Sequence, residues 1–181
     1  MASEFFTILT AVGRAKIASA MAGGPKLALS EMAVGDGRNG AYYDPDEAQR
    51  ALHHEVWRGP INHLEPDPAN PSWVVAELVI PDQVGGWSVR EVGLFDTAGD
   101  MIAVGKYPES YKPSMSAGSN KQLYIRMIAD VTNASVVELK IDPGIVLVTR
   151  TSLDQIQSPQ LATVLKALCD TNRVLLGQHY L

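Results

Sequence analysis

The sequence predicts an α+β domain in which an N-terminal helix packs on a mostly antiparallel β-sheet, followed by a short C-terminal helical stem of coiled-coil type. Apolar residues recur at helical spacing near the N-terminus. Between residues 27 and 148, alternating or apolar stretches are separated by glycine, proline and asparagine turns, which is typical of strands. After residue 150 the spacing becomes helical again. We therefore predict a domain over residues 1–150 and a stem over 151–181.

The first predicted element is a helix that begins near Ser3 and ends at Gly23-Gly24-Pro25. Ser3 is a suitable N-cap, and Glu4 in the first turn complements the helix dipole. Apolar residues follow at helical spacing: Phe5, Ile8, Leu9 and Val12. Two interpretations stay open, because the helix can pack on the sheet of its own chain or dock wholly or partly onto a partner.

The first strand is predicted over residues 27–34, and a glycine-rich loop follows it, Gly35-Asp36-Gly37-Arg38-Asn39-Gly40. The loop lacks the Lys-Ser/Thr ending of a phosphate-binding P-loop and the spacing of a dinucleotide fingerprint. We interpret it as a turn in which several residues adopt unusual φ angles.

Residues 51–64 alternate loosely and contain three of the four histidines, His53, His54 and His63. Neighbours on a strand point to opposite faces, so His53 and His54 cannot chelate one ion together. We predict no metal site and no cofactor.

The centre of the predicted sheet is a hairpin of residues 87–94 and 101–105, joined by a turn over 96–100 in which Gly99 is available for positive φ. An apolar strand over residues 73–80 precedes the hairpin. Residues 106–121 are rich in serine, glycine and proline and are predicted to form a long surface loop. Residues 122–131 and 136–142 form another alternating pair, and 145–148 one more short strand.

The stem is predicted from a capping-box spacing at Ser152 and Gln155 and a helix restart at Ser158-Pro159. Apolar residues then recur with the alternating spacing of a coiled-coil seam, and a polar residue stands at one seam position. The alternative is a surface helix that folds back on the sheet. The predicted seam consists of Leu161, Leu165, Leu168, Asn172 and Leu175.

Composition excludes several function classes. The formal net charge is −5 with scattered basic residues, so no nucleic-acid partner is predicted. The single cysteine, Cys169, rules out an intramolecular disulfide framework. No run reaches the ~18 apolar residues that span a bilayer, and the N-terminus lacks the order of a signal peptide, so we predict no membrane association and synthesis in a reducing cytoplasm. Catalytic constellations are missing as well, and we predict a structural protein rather than an enzyme.

Several motifs together resemble one family. The hairpin carries Arg90-Glu91-Val92-Gly93-Leu94-Phe95-Asp96, then Gly99 and Ile102-Ala103-Val104-Gly105. Matching pieces elsewhere are Met32-Ala33-Val34-Gly35-Asp36-Gly37, Glu55-Val56-Trp57-Arg58-Gly59-Pro60-Ile61-Asn62 and Pro68-Ala69-Asn70-Pro71. In this order, over residues 3–150, they are similar to the N-terminal tail-collar fibre domain. That family attaches tail fibres to the baseplate in contractile-tailed phages and R-type pyocins.

The resemblance implies a homotrimer in the virion, made and assembled in the host cytoplasm and bound to one or more baseplate proteins of a contractile tail. Because the sequence stops at Leu181 without a shaft or receptor tip, we expect either a fragment of a longer fibre or a short fibre that uses a separate tip protein or a fibre chaperone. Aromatic and arginine residues outside the hairpin are the expected baseplate contacts. They are, with their neighbours, Phe5, Phe6, Leu9, Asp36, Arg38, Tyr43, Trp57 and Arg58.

A second hypothesis is a carbohydrate-binding module that recognises a host receptor. It would use exposed Trp57, Trp73 or Trp87 as stacking platforms. Such tryptophans should be exposed on one face near polar clusters, whereas those of an adaptor should be buried or lie at protein interfaces.

Overall fold

The computed structural model describes residues 5–114 and 122–139. The chain divides into two compact units, Met1–Ile145 and Val146–Leu181, and all described residues belong to the first. Within them lie one α-helix, α1 (Ala11–Met21), and a set of strands arranged in two sheets. The strands are β1 (Thr7–Leu9), β2 (Leu27–Gly35), β3 (Glu55–Pro60), β4 (His63–Pro66), β5 (Trp73–Ile80), β6 (Trp87–Asp96), β7 (Met101–Lys112), β8 (Leu123–Asp130) and β9 (Val137–Leu139).

The larger sheet has the order β1-β7-β6-β2-β3, and the smaller sheet has the order β4-β5-β8. Neighbouring strands are antiparallel, except that β9 pairs in parallel with the first residues of β2. The chain passes between the sheets at Ile61 and Asn62, whose N–H groups donate to Ser30 and Glu77 respectively. The Asn62 side chain also accepts from Val79 N–H at 2.7 Å, which fixes this crossing.

The main core is built from both sheets. The smaller sheet contributes alternate residues of β5 and β8, and the larger sheet contributes residues of β2, β6 and β7. A second cluster lies around Phe95 and Met101 and includes Leu52, from the segment between β2 and β3. The main core includes Leu29, Met32, Val34, Val74, Ala76, Leu78, Ile80, Val92, Leu94, Ala103, Ile125, Met127 and Ala129.

The prediction of an α+β fold with a helical stem is wrong, because the structure is mostly β with one 11-residue helix in its described part. The error begins at residues 7–9, which form β1 and pair with β7 instead of starting the helix. A short strand followed by a helix gives nearly the same apolar spacing as a longer helix, and only pairing with β7 distinguishes them. The stem, with Leu161, Leu165, Leu168, Asn172 and Leu175, lies outside the described residues.

Thr10, not Ser3, caps the helix. Its hydroxyl accepts from Gly13 N–H at 2.9 Å and donates to Met101 O at 2.6 Å. The C-terminal end is as predicted, since Ala22 is the C-cap and Gly23 follows with φ 92°. Lys16 forms ion pairs with Asp96 and Asp100, so the helix is tied to the turn of the central hairpin.

Other predicted elements are confirmed or corrected by their pairing. Strands β2 and β5 and the β6–β7 hairpin are where the sequence predicts them, and Gly99 has φ 83°. However, β7 continues to Lys112, into the predicted loop, because its second half pairs with β6. Residues 137–139 pair with β2 and not with β8, and residues 51–64 contribute strands to two different sheets. The predicted strand over 145–148 lies outside the described residues.

Candidate functional site

Strand register brings the N-terminal segment, the glycine-rich loop and the start of β3 to one end of the larger sheet. Lys106 N–H donates to Phe6 O at 2.9 Å. From Lys106 the register continues across the sheet to Glu91, then Gly35, then Glu55. The three segments expected to contact a partner therefore lie at the same end of the larger sheet, although they are far apart in sequence.

The N-terminal phenylalanines stand beside a groove of about 710 Å³ between β1, β7 and β8. Phe5, Phe6 and Trp73 line it and are exposed by 37%, 36% and 37%. So much exposed aromatic surface in one place is typical of a binding site. We call this feature the aromatic groove; it is lined by Phe5, Phe6, Thr7, Trp73, Val92, Gly105, Lys106, Tyr107, Pro108, Arg126, Met127, Ile128 and Asp130.

Tyr107 and Lys106 supply polar groups to the groove. Burial raises the pKa of Tyr107, and a backbone hydrogen bond from Arg126 opposes this rise. The Lys106 ammonium lies 5.2 Å from the Tyr42 ring centre and 3.4 Å from an Asp44 carboxylate oxygen. Tyr42 in turn packs edge-on against Phe5, so this loop reaches the groove.

The glycine-rich loop has the predicted unusual backbone. Gly37, Asn39 and Gly40 have φ angles of 85°, 54° and 75°, and Arg38 and Ala41 exchange backbone hydrogen bonds. This tight turn leaves the Arg38 side chain exposed. Asp36 lies 2.7 Å from His54 Nδ1, which connects the loop to the segment that precedes β3.

Glu91 organises this region, and sequence reasoning missed that role. Its buried carboxylate accepts from the Tyr43 hydroxyl at 2.6 Å and from the N–H groups of His53 and His54, each at 3.0 Å. Burial, and then the bond to Glu91, raise the pKa of Tyr43 against the opposing effect of Gln49. The signal in the sequence was a carboxylate within an apolar strand.

Trp57 and Arg58 have partners within the domain. The Arg58 guanidinium lies 3.8 Å from the Phe95 ring centre, donates to Glu55 at 2.8 and 2.9 Å, and contacts Glu31 at 3.3 Å. The hydrogen bond to Glu55 is the main reason that the pKa of Arg58 is raised. Trp57 packs against the main core, and so does Leu9.

The three tryptophans do not form one stacking face. Trp57 and Trp87 are partly buried against the main core, whereas Trp73 stands in the aromatic groove. Two of the three tryptophans are therefore packed as those of an adaptor are expected to be, and Trp73 is exposed.

Residues 5–114 and 122–139 contain no group of three or more His, Cys, Asp or Glu placed to hold a metal ion. No helix in that part of the chain is long and apolar enough to cross a membrane.

Comparison with known proteins decides the family. The family model of the phage tail-collar fibre protein N-terminal domain matches residues 1–151. The chain belongs to this family. It is 44% identical over 155 residues to a protein of Escherichia phage P2 described as a probable tail fiber protein. No solved structure matches the chain.

The match to the P2 protein covers 85% of this chain and 23% of that relative's length. The resemblance stated from the sequence motifs is therefore confirmed. This tail-collar domain is the N-terminal domain of a phage tail fibre and a structural component of the virion.

Proposed function

We propose that this tail-collar domain anchors a tail fibre to the baseplate of a contractile tail. The observation that carries the proposal is the aromatic groove, because its exposed aromatic side chains would be costly to leave in water in the free protein. Family membership supports attachment to a tail, and the groove supplies a surface for it.

The anchoring surface that we propose extends from Phe5 and Phe6 along the end of the larger sheet. It continues through Tyr42 to the loop that carries Asp36, Arg38 and Tyr43. Leu9, Trp57 and Arg58 pack within the domain, so their contribution is to hold β1 and β3 in place beneath this surface.

We further propose that the fibre is a homotrimer, synthesised and assembled in the host cytoplasm. These proposals rest on the family resemblance. Three copies around one axis would present three anchoring surfaces, and linked weak contacts bind far more tightly than one alone.

The test is incorporation of the variant Phe6→Asp into tails. A carboxylate at this position places a charge among Phe5, Trp73 and Tyr107, so we expect a folded protein whose binding to tails that lack fibres falls about a hundredfold or more. Binding is measured by co-sedimentation with purified tails made from a phage genome in which this reading frame is deleted.

Tyr111→Asp is the matched control, because Tyr111 is an exposed aromatic residue of β7 outside the groove. This variant should bind tails like the unchanged chain. Normal binding of Phe6→Asp would contradict a role for the groove in anchoring.

A further inference from the structure

Lys106 touches both halves of the proposed anchoring surface. Its backbone N–H donates to Phe6 O at 2.9 Å, which holds the N-terminal segment beside β7. Its ammonium lies 5.2 Å from the centre of the Tyr42 ring and 3.4 Å from an Asp44 carboxylate oxygen, and both of these residues belong to the loop between β2 and β3. Phe5 packs edge-on against Tyr42, with the ring centres 6.2 Å apart. These contacts form a closed ring that joins the N-terminal segment to the loop.

The loop is also fixed to the strand next to β7. Glu91 of β6 lies directly opposite Lys106, and directly opposed residues of an antiparallel pair carry their side chains on the same face. The Glu91 carboxylate accepts from the Tyr43 hydroxyl at 2.6 Å. Three consecutive loop residues, Tyr42, Tyr43 and Asp44, are therefore attached to one cross-strand pair of the central hairpin.

The burial of Lys106 suits it to positioning rather than to contact with a partner. Its side chain is only 17% exposed, so the aliphatic stem is packed and the ammonium is held in place. The Asp44 side chain is 83% exposed, and an ion pair so open to water contributes little on its own. The attraction between the ammonium and the Tyr42 ring acts in addition. Both contacts end on the same ammonium, so removal of that charge releases two residues of the loop at once.

The side chains that Lys106 holds together are the exposed aromatic residues of the surface. Tyr42, Phe5 and Phe6 are exposed by 40%, 37% and 36%, so each has area available to a partner. Aromatic side chains that are already ordered bind more tightly than mobile ones, because the entropy cost of ordering them on binding is avoided. A charge that fixes their relative positions therefore affects affinity without touching the partner.

We propose that Lys106 is a positioning residue that holds Phe5, Phe6 and Tyr42 as one preformed aromatic unit, and that the baseplate partner binds this unit through a single apolar face. This inference rests on the proposed anchoring function and deepens it, because the groove and the loop then form one binding site instead of two. The face of the partner must reach from Phe6 to Tyr42.

The variant Lys106→Met tests the role of the charge, since methionine keeps an unbranched apolar side chain and the backbone N–H that bonds Phe6 O. In the free full chain, we expect the NMR order parameters of the amides of residues 42–44 to fall from about 0.85 to below about 0.6. Binding to purified tails that lack fibres should weaken about tenfold, because the loop is then ordered only on binding. Lys106→Arg, which keeps a cation near Tyr42, should restore both values.

Lys26→Met is the matched control, because Lys26 is exposed, precedes β2 and lies outside the groove. This variant loses the same charge and should change neither the order parameters nor tail binding. The loss of order in Lys106→Met should also be confined to residues 5–6 and 42–44. Order parameters that fall throughout the strands would show a general loss of stability and overturn the positioning role.

The remaining outcomes separate this inference from the anchoring function. If Lys106→Met weakens tail binding while the order parameters of residues 42–44 stay high, Lys106 contacts the partner directly, and positioning is overturned. If Phe6→Asp abolishes tail binding while Lys106→Met changes neither measurement, anchoring holds and only this inference is overturned. If Phe6→Asp binds tails normally, the anchoring function fails, and this inference fails with it.

Discussion

Glu91 is a buried carboxylate whose partners are a hydroxyl and two backbone N–H groups of the segment between β2 and β3. A carboxylate that accepts several hydrogen bonds can stay buried without an ion-pair partner. Its position on β6, opposite Gly35 and Lys106, places it beneath the proposed anchoring surface. One side chain thus joins the hairpin core to the loop that carries Asp36, Arg38 and Tyr43.

Glu91→Ala should destabilise the domain by about 2–4 kcal/mol, because the Tyr43 hydroxyl and the N–H groups of His53 and His54 lose their acceptor. Urea unfolding measures the change, and Glu91→Gln, which keeps an acceptor oxygen, should lose less. Glu109→Ala, at an exposed site paired with Arg90, is the control and should cost under about 1 kcal/mol. Equal losses for the two alanine variants would show that the Glu91 hydrogen bonds contribute little.

Substitution of Gly99 tests the backbone conformation of the hairpin turn. Its φ is 83°, and a Cβ added there meets open space, so any cost of substitution comes from the backbone conformation alone. Gly99→Ala should cost about 1 kcal/mol, and Gly99→Asn less, since asparagine tolerates this region. The free energy of unfolding of each variant, measured in urea, tests this expectation. An unchanged stability of the alanine variant would mean that the turn adopts another conformation in solution.

At the scale of elements, the junction of β1 and α1 depends on Thr10. This buried residue caps the helix and ties it to Met101 on β7, while Lys16 ties the same helix to the hairpin turn. Because β1 is only 3 residues long, its place at the edge of the sheet depends on the helix that follows. The position of Phe5 and Phe6 is thereby linked to helix capping.

Thr10→Ala should therefore cost about 1–2 kcal/mol through loss of the cap, and Thr10→Ser should restore most of it. Amide exchange of residues 7–9 should also become faster in the alanine variant, because β1 frays when the helix start is loosened. Faster exchange confined to the helix, with β1 unaffected, would contradict the linkage between the two elements.

At the scale of the whole molecule, the two sheets share one core, so we expect them to unfold together. Trp73 lies on the smaller sheet, and Trp57 and Trp87 on the larger one. Far-ultraviolet circular dichroism and tryptophan fluorescence should then give the same urea midpoint. Two separate midpoints would show that the smaller sheet, and with it one wall of the groove, opens independently.

The variant Leu78→Ala tests by mutation whether the two sheets share one core. Leu78 is fully buried and packs in the cluster formed by both sheets, so its loss should cost about 2–5 kcal/mol and lower both midpoints together. Tyr124→Ala, at an exposed position of the neighbouring strand β8, should change the stability by less than about 1 kcal/mol. A shift seen by only one spectroscopic probe would contradict the shared core.

Local chemistry in the sequence determined much of the β-structure. The alternation over residues 73–80, the turn chemistry at Gly99 and the glycine-rich loop after β2 were all predicted and found. These features follow from the chain's own period and from glycine's access to positive φ, so they need no distant partner. The ordered set of motifs also determined the family.

Only the tertiary structure decided how distant segments combine. Phe5 and Phe6 were predicted as contact residues from their type, but their groove also needs Trp73, Tyr107 and Ile128, which meet them through pairing across the two sheets. The same holds for β1, which looks like helix until it pairs with β7, and for Glu91, whose acceptor role appears only when the loop folds over it. Hydrogen-bond ladders and burial join residues far apart in sequence, and hydrophobic spacing within one stretch carries no information about which ladder that stretch will join.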